Sequence, residues 1–192
     1  MKQRPEKMEY RVWTIPNLLS MLRVAMIPLF VWLYCVRQDS IGTALVLLLS
    51  GVTDVVDGYI ARHYHMISNF GKIIDPVADK LTQGAMLGCL LPRFPWMLVP
   101  LALMAVKELC AAVLATLVIR RTRTVEGSDW HGKVNTVLLY AMMSVHLLWN
   151  DIPARLSALL VFVCVVMMAI SFTLYSLRGV RALREYKQRK EP

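Results

Sequence analysis

The chain has 192 residues, 57% of them hydrophobic, and a formal net charge of +9. Long apolar runs exclude an ordinary soluble core and point to an all-α integral membrane protein, one domain over residues 1–192. The basic residues cluster beside those runs, so the charge is read as membrane topology and contact with anionic lipid, with no nucleic-acid partner.

Residues 1–12 are polar and basic and lack the pattern of a cleavable leader. With the following T-I-P-N-L-L-S-M-L-R they read as a short N-terminal interfacial helix that leads into the first of six transmembrane helices. Span one is expected over 17–34 and contains Arg23. At 1.5 Å per residue Arg23 lies about 9 Å from Asn17, so it either snorkels to the interface or meets a phosphate in a polar cavity there. Thr14 and Asn17 sit at the same level, as hydrogen-bond donors or as caps.

Span two is expected over 41–62 and span three over 71–91, joined by a short linker whose His63 and His65 are read as headgroup-level side chains. Span four is expected over 96–119, with Lys107 and Glu108 near its middle. Neighbours in sequence do not face each other on a helix, so each is expected to find a separate partner in a polar cavity. A basic loop ending in D-W-H-G-K-V-N-T leads to span five, 134–149, and span six, 154–177, which is followed by a basic tail to Lys190. Cys35, Cys89, Cys110 and Cys164 lack metal or redox spacing and read as small buried hydrophobes with no disulfide framework.

Four aspartates interrupt this apolar background: Asp54 and Asp57 late in span two, Asp75 and Asp79 early in span three. Asp54, Asp57 and Ala61 share one helix face, and so do Gly71, Asp75 and Asp79. A carboxylate at membrane depth costs roughly 2.5–3.5 kcal/mol, so four would cost on the order of 10 kcal/mol and would repel one another. Capping alone is the competing reading, with Asp54 or Asp57 ending a helix and Asp75 before Pro76 starting one. All-oxygen ligands favour a hard divalent cation, Mg²⁺ or Mn²⁺, with Ca²⁺ as a further candidate.

Lysines and arginines set the topology. Sixteen fall in the N-terminal segment, the two loops on that side and the tail, against Arg37, Arg93 and Arg155 on the other. This predicts a multi-pass protein of the inner (cytoplasmic) membrane with both termini and the aspartates in the cytoplasm.

The pattern Asp54-x-x-Asp57-Gly58-x-x-Ala61-Arg62, eight residues, then Gly71-x-x-x-Asp75-x-x-x-Asp79 resembles the signature of the CDP-alcohol phosphatidyltransferases, with all eight signature positions filled. T-I-P-N-L-L-S-M-L-R and D-P-V-A-D-K look like the phosphatidylglycerophosphate synthases and the related single-domain cardiolipin synthases of that family. The resemblance implies transfer of a phosphatidyl group from CDP-diacylglycerol to an alcohol with release of CMP. It implies two divalent ions on Asp54, Asp57 and Asp75, with Asp79 on the second ion and acting as general base on the acceptor hydroxyl. It places Asp54, Asp57, Gly58, Ala61, Arg62 and Gly71 against the CDP-lipid, and it suggests a homodimer among membrane lipids.

The acceptor is read as glycerol-3-phosphate, its phosphate held by Arg23, Lys107 and Lys133 with Thr14 and Asn17 nearby; phosphatidylglycerol is the alternative. Two departures bear on that choice. Lys107-Glu108 stands where those synthases carry Arg-Glu, and Gly132-Lys133-Val134-Asn135-Thr136 where they carry Gly-Lys-x-Lys-Thr. Lysine keeps the charge of arginine without its bidentate fork. A divalent-cation channel or transporter, and a non-catalytic membrane scaffold, are the readings of a different class. The carboxylates lie near one membrane face with no second acidic site to complete a path, which counts against the first.

Overall fold

A computed structural model describes residues 14–63, 71–122 and 130–190, and within them the chain is helical. The elements are α1 (Ile15–Cys35), α2 (Ser40–His63), α3 (Gly71–Leu90), a 3-10 turn (Pro95–Met97), α4 (Leu98–Thr122), α5 (Trp130–Leu148) and α6 (Ala154–Lys190). Each expected span has its helix. Of the expected interfacial helix, residues 1–12 lie outside the described residues, as does His65, while its T-I-P-N-L-L-S-M-L-R part is the cap and first turns of α1 itself and not a separate helix. Among the described residues three helical stretches are long and apolar enough to cross a membrane: Ile15–Cys35, Pro95–Leu114 and Ala154–Arg181. In α2 the apolar stretch, Ser40–Asp54, ends at the first aspartate, and α3 carries Lys72, Asp75, Asp79 and Lys80 in its first half.

The helices group into two compact units, one ending at Cys89 and one beginning at Leu90. In the first unit Thr14 caps α1, its Oγ1 accepting from Asn17 N at 3.4 Å, with Pro16 in the first turn where a missing N–H costs nothing. The buried face of α1 starts polar (Asn17, Ser20, Arg23) and continues apolar (Met26, Phe30, Tyr34). A tight turn with Gln38 at φ 55° leads to Asp39, which caps α2 by accepting from Gly42 N at 2.8 Å. The α2 face bearing Leu45, Leu48, Leu49 and Val52 is exposed, while Thr43, Ser50 and Asp57 are buried. Apolar side chains outward and polar ones inward is the arrangement expected of helices solvated by lipid.

The second unit packs α4 and α5 on α6. His146, fully buried, joins α5 to α6: its Nδ1 donates to Met142 O at 2.8 Å, and Ser157 Oγ donates to its Nε2 at 2.9 Å. Phe94 meets the imidazole edge-on, with ring centroids 4.9 Å apart. His146→Ala is expected to cost about 1–3 kcal/mol, since it leaves the Ser157 hydroxyl buried without its acceptor. Thermal unfolding in detergent measures this, and an unchanged melting temperature would show that the clamp contributes nothing. The tail after residue 177 does not leave the last span as a separate segment. Helix α6 runs on without interruption through 37 residues, about 55 Å, because no proline follows Leu177 before its end and a single Gly179 does not break it.

Candidate functional site

The aspartates meet in the first unit because three helices bring their polar ends together. Asp54 and Asp57 lie one turn apart near the end of α2, Asp57 buried and Asp54 half-exposed. Asp75 is the fifth residue of α3 and Pro76 the sixth, so Asp75 is inside the helix and the capping reading does not hold for it. The third contributor is the start of α1. Arg23, only 2% exposed, places Nη1 2.5 Å from Asp54 Oδ1 and Nη2 2.5 Å from Asp57 Oδ2. Ser20 Oγ lies 2.5 Å from Asp75 Oδ1, 3.3 Å from Asp57 Oδ2 and 3.0 Å from Pro16 O. A hydroxyl has one proton to give, so Ser20 donates chiefly to Asp75, the nearest oxygen. The result is a chain of contacts running Asp54, Arg23, Asp57, Ser20, Asp75.

Asp79 is held by a different set, one turn further along α3. Gln83 Nε2 donates to its Oδ2 at 3.0 Å. Lys80, the next residue, curls its flexible stem back to place Nζ 3.8 Å from the same oxygen and 3.3 Å from Gln83 Oε1.

Among the described residues the Arg23 guanidinium meets two of the three carboxylates, Asp54 and Asp57, and Ser20 joins Asp75 to them. The donor set of the carboxylates is all hard oxygen, which fits Mg²⁺ or Mn²⁺. Among the described residues no three Asp, Glu, His or Cys side chains form a group that would hold a metal ion; Arg23 and Ser20 stand between the carboxylates. Among the described residues Arg23 Nε is buried with no hydrogen-bond partner. A buried N–H left without an acceptor costs about 1–3 kcal/mol, and its natural complement is an anionic oxygen.

The other expected site residues distribute as follows. Asn17 is buried one turn before Ser20, Thr14 serves as the α1 cap, and Gly71 is buried as the first residue of α3. Gly58, Ala61 and Arg62 lie on the last turns of α2, but their side chains are outside the described residues. Lys107 on α4 and Lys133 on α5 belong to the second unit. Lys107 Nζ is 3.7 Å from Glu108 Oε1, so these neighbours do approach each other, through side chains long enough to turn toward one another. Asn135 in the same unit is buried, and among the described residues its Oδ1 has no hydrogen-bond partner.

Ser20 and Gln83 were not anticipated. The signal for Ser20 was present in the spacing Asn17, Ser20, Arg23, three polar residues one turn apart in an apolar helix. Gln83 follows Asp79 by four residues, the spacing of facing side chains.

The sequence profile of a family described as CDP-alcohol phosphatidyltransferase matches residues 13–175. A protein of Mycobacterium tuberculosis named "Probable phosphatidylglycerophosphate synthase" is 32% identical over 186 residues, 91% of this chain and 84% of that one. A cardiolipin synthase (CMP-forming) of Streptomyces coelicolor is 51% identical over 76 residues, 37% of this chain and 35% of that protein. A CDP-diacylglycerol–glycerol-3-phosphate 3-phosphatidyltransferase of Rickettsia bellii is 36% identical over 97 residues, 49% of this chain and 53% of that protein. The chain thus spans about a third to a half of the length of these last two curated relatives.

Proposed function

This chain belongs to the CDP-alcohol phosphatidyltransferase family, and from that premise we propose that it transfers the phosphatidyl group of CDP-diacylglycerol to glycerol-3-phosphate, releasing CMP and forming phosphatidylglycerophosphate. The observation that carries this reading is the convergence of three signature aspartates, Asp54, Asp57 and Asp75, from α2 and α3 onto Arg23 and Ser20.

In this reading the acceptor hydroxyl oxygen attacks the phosphatidyl phosphorus, the bond from that phosphorus to the bridging oxygen breaks, and CMP leaves. Asp79 takes the hydroxyl proton on a carboxylate oxygen, as a general base within hydrogen-bond reach can. Gln83, donating to Asp79 Oδ2 at 3.0 Å, orients that carboxylate. Arg23 Nε supplies a buried N–H for a phosphate oxygen. Asp54, Asp57, Asp75 and Asp79 would hold two divalent cations, which supply positive charge to the pyrophosphate and its leaving oxygen.

The fuller membrane reading has six spans, both termini and the aspartates on the cytoplasmic side of the inner membrane, and a homodimer. The sixteen-to-three distribution of basic residues supports the orientation. It keeps the diacyl tails in lipid while the nucleotide meets water.

Cardiolipin synthesis, with phosphatidylglycerol as acceptor, is the second reading. It is favoured by the 51% identity to the Streptomyces cardiolipin synthase over 76 residues, and the K-V-N-T stretch at 133–136 departs from the Gly-Lys-x-Lys-Thr of the phosphatidylglycerophosphate synthases. Supplying purified protein with CDP-diacylglycerol and each acceptor separately decides between them. CMP release is expected with glycerol-3-phosphate and not with phosphatidylglycerol; the reverse pattern would establish the second reading.

A further inference from the structure

Two of the four cysteines meet at the opposite end of the first unit from the aspartates. Cys35 is the last residue of α1 and Cys89 the next to last of α3, and their sulfurs are 3.7 Å apart. Ser20 to Cys35 is fifteen residues along α1, and Asp75 to Cys89 is fourteen along α3. These are rises of about 22 Å and about 21 Å. Helices α1 and α3 therefore run in the same direction with two matched contact points, Ser20 on Asp75 and Cys35 on Cys89. The sequence suggested four inert buried thiols; instead Cys35 is exposed and Cys89 is buried beside it. The turn that follows holds Cys35 in place. Gln38 Nε2 donates to Cys35 O at 3.0 Å, Val36 N and Arg37 N both donate to Trp32 O, and the Arg37 guanidinium lies 4.9 Å from the Trp32 ring centroid.

We propose that Cys35 and Cys89 are a thiol pair that a disulfide-bearing donor oxidises to an intramolecular disulfide, stapling α1 to α3 at the end away from the aspartates. An S–S bond of about 2.05 Å requires the sulfurs to close by about 1.6 Å, a movement within reach of side-chain rotation. The exposed Cys35 thiolate attacks one sulfur of the donor, and one donor thiol leaves. Cys89 then attacks the Cys35 sulfur of the mixed disulfide and expels the second donor thiol. Two protons leave the protein sulfurs, and two electrons reduce the donor disulfide to two thiols. One accessible thiol to meet the donor and one sheltered thiol to resolve the intermediate is the division of labour this chemistry needs. Cys110 and Cys164, in the second unit, take no part; Cys164 Sγ faces Leu138 O at 3.4 Å. The inference does not depend on the transferase reading, and its test needs no substrate.

The full-length protein, purified reduced in detergent, is titrated with oxidised glutathione, denatured in acid, and alkylated with N-ethylmaleimide. Alkylated thiols are expected to fall from four to two in the monomer, with a linked Cys35–Cys89 peptide in the digest and a raised melting temperature. Cys35→Ser should keep all three remaining thiols alkylatable and show no rise. Four alkylated thiols after oxidation, or a glutathione adduct on Cys35 that persists while Cys89 still alkylates, would overturn the proposal.

Discussion

Asp79→Asn is expected to lower CMP release from CDP-diacylglycerol at least about 10²-fold, and up to about 10⁴-fold, while the protein still folds. The asparagine has the shape of aspartate, and its amide oxygen still accepts from Gln83 Nε2, so the local network around residues 79–83 survives. What it loses is the ability to take a proton and one unit of negative charge. Turnover with glycerol-3-phosphate and Mn²⁺, measured beside a melting curve, separates these effects. Wild-type turnover in the variant would remove Asp79 from the reaction, and a lost melting transition would mean the residue is structural.

Arg23→Gln is the second large effect, and its size depends on whether a divalent cation is present. Arg23 is the buried positive charge that Asp54 and Asp57 share, and Asp57 is itself only 3% exposed. Removing one partner of a buried ion pair costs about 3–5 kcal/mol, because the remaining charge is left uncompensated. The variant without added ions is therefore expected to melt well below the wild type. Adding Mn²⁺ should then raise its melting temperature by more than it raises the wild type's. In the wild type a cation competes with a guanidinium already seated on both carboxylates; in the variant it meets them unpaired, and tighter binding to the folded state gives a larger shift. Equal Mn²⁺-induced shifts in the two proteins would show that Arg23 and the ion do not compete for these oxygens.

The two predictions draw on different levels of information. That Asp75 and Asp79 share a face was readable from spacing: Gly71, Asp75 and Asp79 recur every four residues, and a helix turns such residues to one side. The helices themselves were readable for a related reason. Apolar runs of about twenty residues broken by turn residues have one economical solution in lipid, where every backbone N–H and C=O must be satisfied within its own segment. Hence a helix, α1 to α6, covers each of these runs, with ends displaced by a few residues, and among the described residues three stretches, Ile15–Cys35, Pro95–Leu114 and Ala154–Arg181, are long and apolar enough to cross a membrane. The largest displacements are the α5 start, which reaches back to Trp130, and α6, which absorbs the basic tail to Lys190.

The sequence by itself determined the helical class, the family signature and which carboxylates share a face, because periodicity reports neighbours on one helix. Only the tertiary structure decided that Arg23 pairs with Asp57 across 34 residues, that Ser20 meets Asp75 across 55, and that Cys35 lies against Cys89 across 54. Those contacts depend on the relative rotation and offset of separate helices. Those are fixed by side-chain packing between α1, α2 and α3, and no spacing within a single segment encodes them.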